Sequence, residues 1–320
     1  MALLGSGEIL QTHDLSSEKP TAWRCEGRMT LALRPVREED RARVVEISAQ
    51  IWDGEDYVPD QFSAWIAESE GEVIGAEIDG RLIAFARRTW LCPGQAWLEG
   101  IRTDPAYRGR GAGKAITEYL IESARRAGAL TIHLSTHVGN EASIHIIESF
   151  GFRRVASFVH LERTIPETAH FDDSADDIIE VSAQETAGFA ARSRFLASAG
   201  RLFPRGWRFV PFDLDPLEAV ARLGTRIGIR RAGTLTSLLC LRQPVGTTTP
   251  TVMNFGDGDP QDLERLLEYA HARYAGRHVE AMVPQTGEET VPLLRILLES
   301  GYETWENETP DVFSYQLDLR

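Results

Sequence analysis

The segment Trp97–Lys114, WLEGIRTDPAYRGRGAGK, constrains this chain more than any other. It opens as an alternating strand, Trp97 to Thr103, and turns at Asp104-Pro105. A basic, glycine-rich loop follows, Arg108-Gly109-Arg110-Gly111-Ala112-Gly113, and the amphipathic stretch Lys114–Arg126 continues directly from it. Strand, glycine loop and helix in that order make an anion site. The first-turn amides of a helix have no acceptor within the helix, and the dipole there favours negative charge. Glycine lets the backbone close on a pyrophosphate because no Cβ intervenes. The spacing excludes two common phosphate loops. Arg108 stands where a P-loop needs its first glycine, and Ala115 where it needs a magnesium-binding hydroxyl. A dinucleotide fingerprint is G-x-G-x-x-G, whereas this loop reads G-x-G-x-G and no acidic ribose ligand follows a second strand.

The residues do match R-x-x-G-x-G, read from Arg108 to Gly113, and Asn140-Glu141-Ala142 and Glu148-Ser149-Phe150-Gly151-Phe152 follow in order. In this combination the chain resembles the GNAT acetyltransferase superfamily. The resemblance implies a GNAT fold, α/β (α+β) in class, with a mixed central sheet flanked by helices. It also implies the pyrophosphate of coenzyme A on Arg108–Gly113. A glycine-rich turn that binds nothing is the bland alternative. The run Ile51-x-x-Gly54-x-Asp56-Tyr57-x-Pro59, then Trp65, then Glu99-Gly100-x-Arg102-x-x-Pro105-x-x-Arg108-Gly109-x-Gly111, is more specific. It resembles the histidine N-acetyltransferases of vertebrates and their relatives. Those proteins carry a second, loop-less half with a Trp-x-x-x-Pro element, matched here by Trp207 and Pro211. The likeness is motif-level over residues 30–320. It implies an acetyl-CoA-dependent Nα-acetyltransferase acting on a free amino acid such as histidine.

Residues 1–28 are polar and aperiodic and read as a flexible extension. Residues 29–165 read as the catalytic domain, beginning with a strand and a helix over Glu38–Trp52. A second helix spans Asp60–Glu68. Asp79-Gly80 is a two-residue hairpin signal between Val73–Ile78 and Arg81–Leu91. Strands at Gln95–Thr103, Leu130–Ser135 and Phe152–Glu162 alternate with helices at Gly109–Arg126 and Asn140–Phe150. The acidic stretch 166–177 reads as a linker. Residues 178–320 then repeat the order: hairpin, strand at Thr251–Phe255, helix at Pro260–Tyr274, strand at His278–Val283, helix at Val291–Glu299, strand at Val312–Leu319. This is a diverged internal repeat, with an unrelated α/β domain as the alternative. Phe255-Gly256-Asp257-Gly258-Asp259 stands where the first copy has its phosphate loop, and brings carboxylates where phosphates need donors.

The resemblance assigns roles. Arg108, Gly109, Arg110, Gly111, Ala112, Gly113 and Lys114 bind the pyrophosphate. The backbone of Ile101, Arg102 and Thr103 pairs with the pantetheine arm, and one of its amides polarises the thioester. Asn140 touches the cofactor. A tyrosine is usual seven residues after Asn140, to protonate the leaving sulfur; Ile147 stands there. For the general base, strand alternation puts Trp97, Glu99, Ile101 and Thr103 on one face, which aims Glu99 at the acceptor. A structural carboxylate paired with Arg87 or Arg102 is the alternative for Glu99. Asp56, Tyr57 and Trp65 are the acceptor-binding candidates, against a solvated loop with Trp65 in the core.

The net charge of −14 makes nucleic acid a poor partner. Three scattered cysteines form no disulfide framework or C-x-x-C pair, and eight histidines show no helical metal spacing, so no metal is expected. No apolar run is long enough for a membrane span and no signal peptide is evident; the scattered cysteines fit a cytoplasmic setting, and a monomer or homodimer is expected. Two other functions remain open: acetylation of a polyamine or aminoglycoside, which the acidic Asp53–Asp56 loop would suit, and CoA binding without turnover.

Overall fold

The computed structural model describes residues 22–23, 31–171, 177–242, 251–286, 289–305 and 310–319. The expected 1–28 extension lies outside the described residues apart from Ala22–Trp23, and residues 172–176 of the expected linker lie outside them too. The chain divides into two compact units, Met1–Ala86 with Ile101–Ile116, and Arg87–Gly100 with Thr117–Arg320. No described helix is long and apolar enough to cross a membrane.

In the first unit β1 (Ala22–Trp23) and β3 (Glu72–Ile78) each pair antiparallel with β2 (Leu31–Pro35), Leu31 facing Ile78 and Pro35 facing Ile74. Helices α1 (Arg41–Ser48) and α2 (Val58–Ala67) lie between β2 and β3 in the chain. Their inward positions Val44, Ile47, Val58, Phe62 and Trp65 share one cluster with Val36, Val73, Leu82 and Phe85. The spacing predicts a helix over Glu38–Trp52, but α1 ends at Ser48: Ile51 is extended, and Trp52 (φ 47°) and Gly54 (φ 95°) are left-handed. Asp79 and Gly80 have φ of 50° and 76°, the paired left-handed residues of a type I′ turn, and lead into β4 (Arg81–Cys92). β4, β5 (Gln95–Thr103) and α3 (Ala112–Arg126) each pass from one unit into the other.

The second unit is built on β6 (Thr131–His137), α4 (Glu141–Ser149), β7 (Arg153–Thr164), β8 (Ile178–Glu180), α5 (Ala183–Ala190) and α6 (Arg194–Ser198). The hairpin β9 (Leu202–Arg205) and β10 (Arg208–Pro211) follows, then α7 (Pro216–Ala221), β11 (Thr225–Arg231), β12 (Thr234–Arg242) and β13 (Thr251–Gly258). The rest is α8 (Pro260–Arg273), β14 (His278–Thr286), β15 (Glu289–Thr290), α9 (Pro292–Glu299), β16 (Glu303–Thr304) and β17 (Val312–Asp318). Its sheet runs β5-β6-β17-β7-β14-β13-β12-β11-β8.

The repeat is visible in the pairing. β5 and β6 are parallel over Gln95–Trp97 with Thr131–His133, and β13 and β14 are parallel over Thr251–Met253 with Val279–Ala281. Each ladder stops after three pairs although both strands continue, and each is joined by a crossover helix, as parallel strands require. The copies also exchange strands. The final strand β17 lies antiparallel between β6 and β7, and β7 is long enough to pair with β14 as well. Leu263, Leu266, Leu267 and Ala270 of α8 and Leu293, Leu294, Ile296 and Leu297 of α9 fill the core beside Phe255 and Phe195. Both helices place these residues at three- and four-residue spacing, one apolar stripe each.

Candidate active site

The glycine-rich loop Arg108–Gly113 belongs to the first unit. Asp104 anchors its start: its N–H donates to Ile83 O (2.8 Å) and its carboxylate accepts from Ala106 N (2.8 Å) and from Arg43 Nη2. Arg43 Nε donates to Leu82 O (2.8 Å), which fixes the guanidinium. Burial disfavours the Asp104 charge, but the Arg43 hydrogen bond and the Ala106 amide outweigh it and hold the carboxyl below its ordinary value. A carboxyl with a lowered folded pKa stabilises above its unfolded pKa, near 4, and that contribution is lost as pH falls through the folded value. We therefore expect Asp104→Asn to destabilise by about 1.5–3 kcal/mol near neutrality. The gap to wild type should close below roughly pH 4, as denaturant unfolding at several pH values would show. A gap independent of pH would mean that the ion pair is not its source.

Beyond Asp104 the chain makes one 3₁₀ turn, Pro105–Tyr107, and then opens. Arg108, Gly109, Arg110, Gly111 and Lys114 are exposed, Gly113 is half-buried and Ala112 is buried. Gly109 and Gly111 have φ of 75° and 81°, which only glycine adopts cheaply, and a Cβ on either would meet open space. Ala115 N bonds Gly111 O (2.9 Å), so the helix begins on the loop itself. Arg110 lies over the Tyr107 ring (5.0 Å), which gives that tyrosine a structural partner. Exposed Arg108, Arg110 and Lys114 and a helix N-terminus thus flank an exposed loop with two left-handed glycines, a donor set that fits a diphosphate.

Asp56, Tyr57 and Trp65 occupy different environments in the same unit. Asp56 makes a buried two-point ion pair with Arg102: Nε donates to Oδ2 (2.9 Å) and Nη2 to Oδ1 (2.8 Å). The guanidinium stacks on Trp52 (4.3 Å) and lies 5.6 Å from Tyr57. Trp65 is a core residue, in edge contact with Tyr57 (6.1 Å, 73°), and Tyr57 is the exposed member of the group. Arg102 is therefore committed through its side chain, while Ile101 and Thr103 are half-buried.

Glu99 belongs to the second unit. Its Oε1 accepts from Arg87 Nη1 (2.7 Å) and Arg208 Nη2 (2.6 Å), and its Oε2 accepts from Arg208 Nε (3.0 Å). The structural pairing with Arg87 is thus present. Arg208 went unforeseen; the signal was its position directly after Trp207, inside the Trp-x-x-x-Pro element of the second repeat. The β9–β10 hairpin brings it there, held by Ser135 Oγ donating to Trp207 O (2.6 Å). Gly100 has φ of 64°, so the pleat is interrupted between Glu99 and Ile101 and the single face expected from Trp97 to Thr103 is not continuous.

Asn140 caps α4, its Oδ1 accepting from Ser143 N (3.4 Å). Ile147 is fully buried in α4. Its neighbour Glu148 accepts from Tyr315 OH (2.8 Å), and burial first, then this carboxylate, pushes the Tyr315 hydroxyl up to about 12. His133 pairs with Gln95 Oε1 through Nε2 (2.7 Å), and burial lowers its pKa to about 4, so its imidazole is neutral.

The second copy treats the equivalent loop differently. Asp257 accepts from Phe195 N (3.1 Å) and Gly258 N (2.8 Å), and Asp259 caps α8 by accepting from Gln261 N (3.0 Å) and Asp262 N (3.2 Å). Carboxylates of this segment thus already accept from its own amides at Gly258, Gln261 and Asp262. A Cβ on Gly258 would lie 2.3 Å from Thr236 O, so this segment is closed against its neighbour strand.

The model of the acetyltransferase (GNAT) family matches residues 39–152. N-alpha-acetyltransferase RimI of Mycobacterium tuberculosis is 31% identical over 120 residues, 36% of this chain and 74% of that protein. Histidine N-acetyltransferase of Scomber australasicus is 31% identical over 86 residues, 27% of this chain and 26% of that protein. Among solved structures, a tandem GNAT protein from the clavulanic acid biosynthesis pathway superposes with a TM-score of 0.54 at 13% identity, covering 90% of this chain and 98% of that one. That likeness extends the fold over both repeats, and the segment matched by the family model contains the whole glycine-rich loop. An N-acetyltransferase relative matched over three-quarters of its length, together with that loop, shows that this chain belongs to the GNAT acetyltransferase family.

Proposed function

We propose that this enzyme transfers the acetyl group of acetyl-CoA to the α-amine of a free amino acid with a planar side chain, histidine being the model. The observation that carries the reading is the open basic loop Arg108–Gly113 at the head of α3. The names of the two relatives, an Nα-acetyltransferase and a histidine N-acetyltransferase, support the acceptor class. We further propose that residues 29–165 carry the transfer chemistry, that 178–320 are the degenerate copy and that 166–177 join them.

Acetyl-CoA supplies the thioester carbonyl that the amine attacks. Arg108, Arg110, Lys114 and the amides of Gly109–Gly113 hold the pyrophosphate by charge-assisted bonds. The backbone of Ile101–Thr103 positions the pantetheine arm, a task the committed Arg102 side chain leaves untouched. Asn140 keeps its side-chain amide donors for the cofactor while Oδ1 caps α4. Glu99 takes the ammonium proton: Oε2 accepts one protein hydrogen bond and retains a lone pair for an amine or a bridging water. An α-amine of pKa ~8 asks less of such a base than a lysine amine at ~10.4. Tyr57 offers its exposed face to the acceptor side chain, with Asp56 and Trp65 holding it through Arg102 and the core. Ile147 provides no proton, and a thiol of pKa ~8.5 leaves without one.

Thiol release from acetyl-CoA against a panel of amino acids, polyamines and aminoglycosides tests the acceptor class. Turnover selective for histidine or a close analogue is the expected result, and turnover on polycations alone overturns it. Gly111→Val tests the loop. A β-branched residue at φ 81° costs about 1–2 kcal/mol and turns the loop amides away. The KM for acetyl-CoA should rise by about tenfold or more, while the melting temperature falls by no more than the few degrees to which that strain corresponds. An unaltered KM would remove the loop from CoA binding.

A further inference from the structure

β7 and β14 pair with Glu162 directly opposite Glu280, and β16 sets Glu303 opposite Glu162 from the other side. Directly opposed residues share a face of the sheet, so three carboxylates line up across three strands, an arrangement in which like charges repel. Alternation puts His160 on the same face. Its Nε2 lies 3.9 Å from Glu280 Oε2, and one ligand atom each from His160, Glu162 and Glu280 fall within 4.8 Å of one another.

His160 adds an independent observation. It is 1% exposed, and neither ring nitrogen has a hydrogen-bond partner. A buried polar group left in that state is costly. The ring is instead fixed by its neighbours: Trp305 lies over it (centroids 4.1 Å) and Trp207 stacks at 6.1 Å, while the backbone N–H of His160 donates to Asp311 Oδ1 (2.9 Å). An imidazole nitrogen is thus held rigidly toward two carboxylates and satisfied by nothing else.

We propose that His160, Glu162 and Glu280 bind a first-row divalent cation. An imidazole nitrogen with two carboxylate oxygens is a donor set for zinc or manganese. The ion would satisfy the buried nitrogen, cancel the repulsion between the opposed carboxylates and join β7 to β14, strands from the two repeats. Glu162 and Glu280 are partly exposed, which leaves a path for the ion. His278 Nε2, 3.6 Å from Glu162, is a further donor within reach. Three protein ligands leave coordination positions for water.

The test is calorimetric titration of zinc into chelator-treated, full-length protein, with melting curves, for wild type, Glu162→Gln and Glu280→Gln. Both variants relieve a repulsion, so both should fold, as melting without zinc would check. We expect one equivalent to bind wild type with a rise in its melting temperature. Each variant should bind at least roughly tenfold more weakly, since even outer-shell changes cost 10–100-fold. Cobalt should give ligand-field bands that Glu280→Gln abolishes. No saturable binding overturns the proposal, as does binding unchanged in both variants, which would place the ion elsewhere. A raised KM for the amine acceptor in Glu280→Gln, with no zinc binding to wild type, would make the cluster an ammonium site and overturn it too.

Discussion

Replacing Arg102 by alanine should destabilise the protein by about 3–5 kcal/mol, the range for breaking a buried ion pair by removing one partner. The Asp56 side chain is 0% exposed and that of Arg102 is 9% exposed. Both carboxylate oxygens accept from the guanidinium, and Val58 N adds only a long contact to Oδ1 (3.4 Å). Truncation leaves a carboxylate buried with no counter-charge and also strips the stacked partner from Trp52. The melting midpoint should fall by roughly 10 °C, taking the 2–4 °C per kcal/mol of domains of about 150–250 residues. The double variant Asp56→Leu/Arg102→Met should recover most of the loss, because a well-packed apolar pair costs nothing in desolvation. Calorimetry on the two variants decides it. An Arg102→Ala midpoint within a degree or two of wild type would show that the pair is solvated, and failure of the double variant to recover would show that packing around Trp52 dominates instead.

That pair also marks the limit of what the sequence discloses. Local chemistry was legible. The Asp79-Gly80 turn, the loop glycines at Gly109 and Gly111, and the helices after each crossover are dictated by residues within a few positions of one another. The repeat was legible because its order of strand and helix recurs, and the matching three-pair ladders bear out the shared fold. Long-range partners were not. Asp56 and Arg102 are 46 positions apart, and nothing in an acidic loop distinguishes a carboxylate that faces substrate from one that meets an arginine across the core. Arg208 reaches Glu99 over 109 positions. The exchange of β17 into the place between β6 and β7 is invisible for the same reason, since the alternation of Val312–Asp318 suits either neighbour. Gly100 was named in the motif, but its left-handed backbone, which breaks the face between Glu99 and Ile101, is a tertiary demand. Ile147 was legible as a departure; its complete burial explains why no polar group stands there.

Glu99→Gln should lower kcat with the chosen amino acid by about 10²–10⁴-fold, the usual contribution of a positioned general base. The amide keeps the shape of the side chain but cannot accept a proton at neutral pH. The KM for acetyl-CoA should change little, because the loop proposed to hold the pyrophosphate does not include this residue. The same carboxylate holds Arg87 and Arg208, so a loss of activity alone does not separate proton transfer from the positioning of a guanidinium. Arg208→Met separates them. Arg208 is the more exposed of the two partners, and Arg87 remains to orient the carboxylate after it is removed. If Glu99 transfers the proton itself, Arg208→Met should keep kcat within about tenfold of wild type, while Glu99→Gln stays 10²-fold or more below it. Matching losses in the two variants would instead assign Glu99 to holding Arg208, and the base would have to be sought elsewhere. The pH profile gives a second readout. The acidic limb of kcat/KM reports the free enzyme's essential base, so it should be present in Arg208→Met and absent from the residual activity of Glu99→Gln.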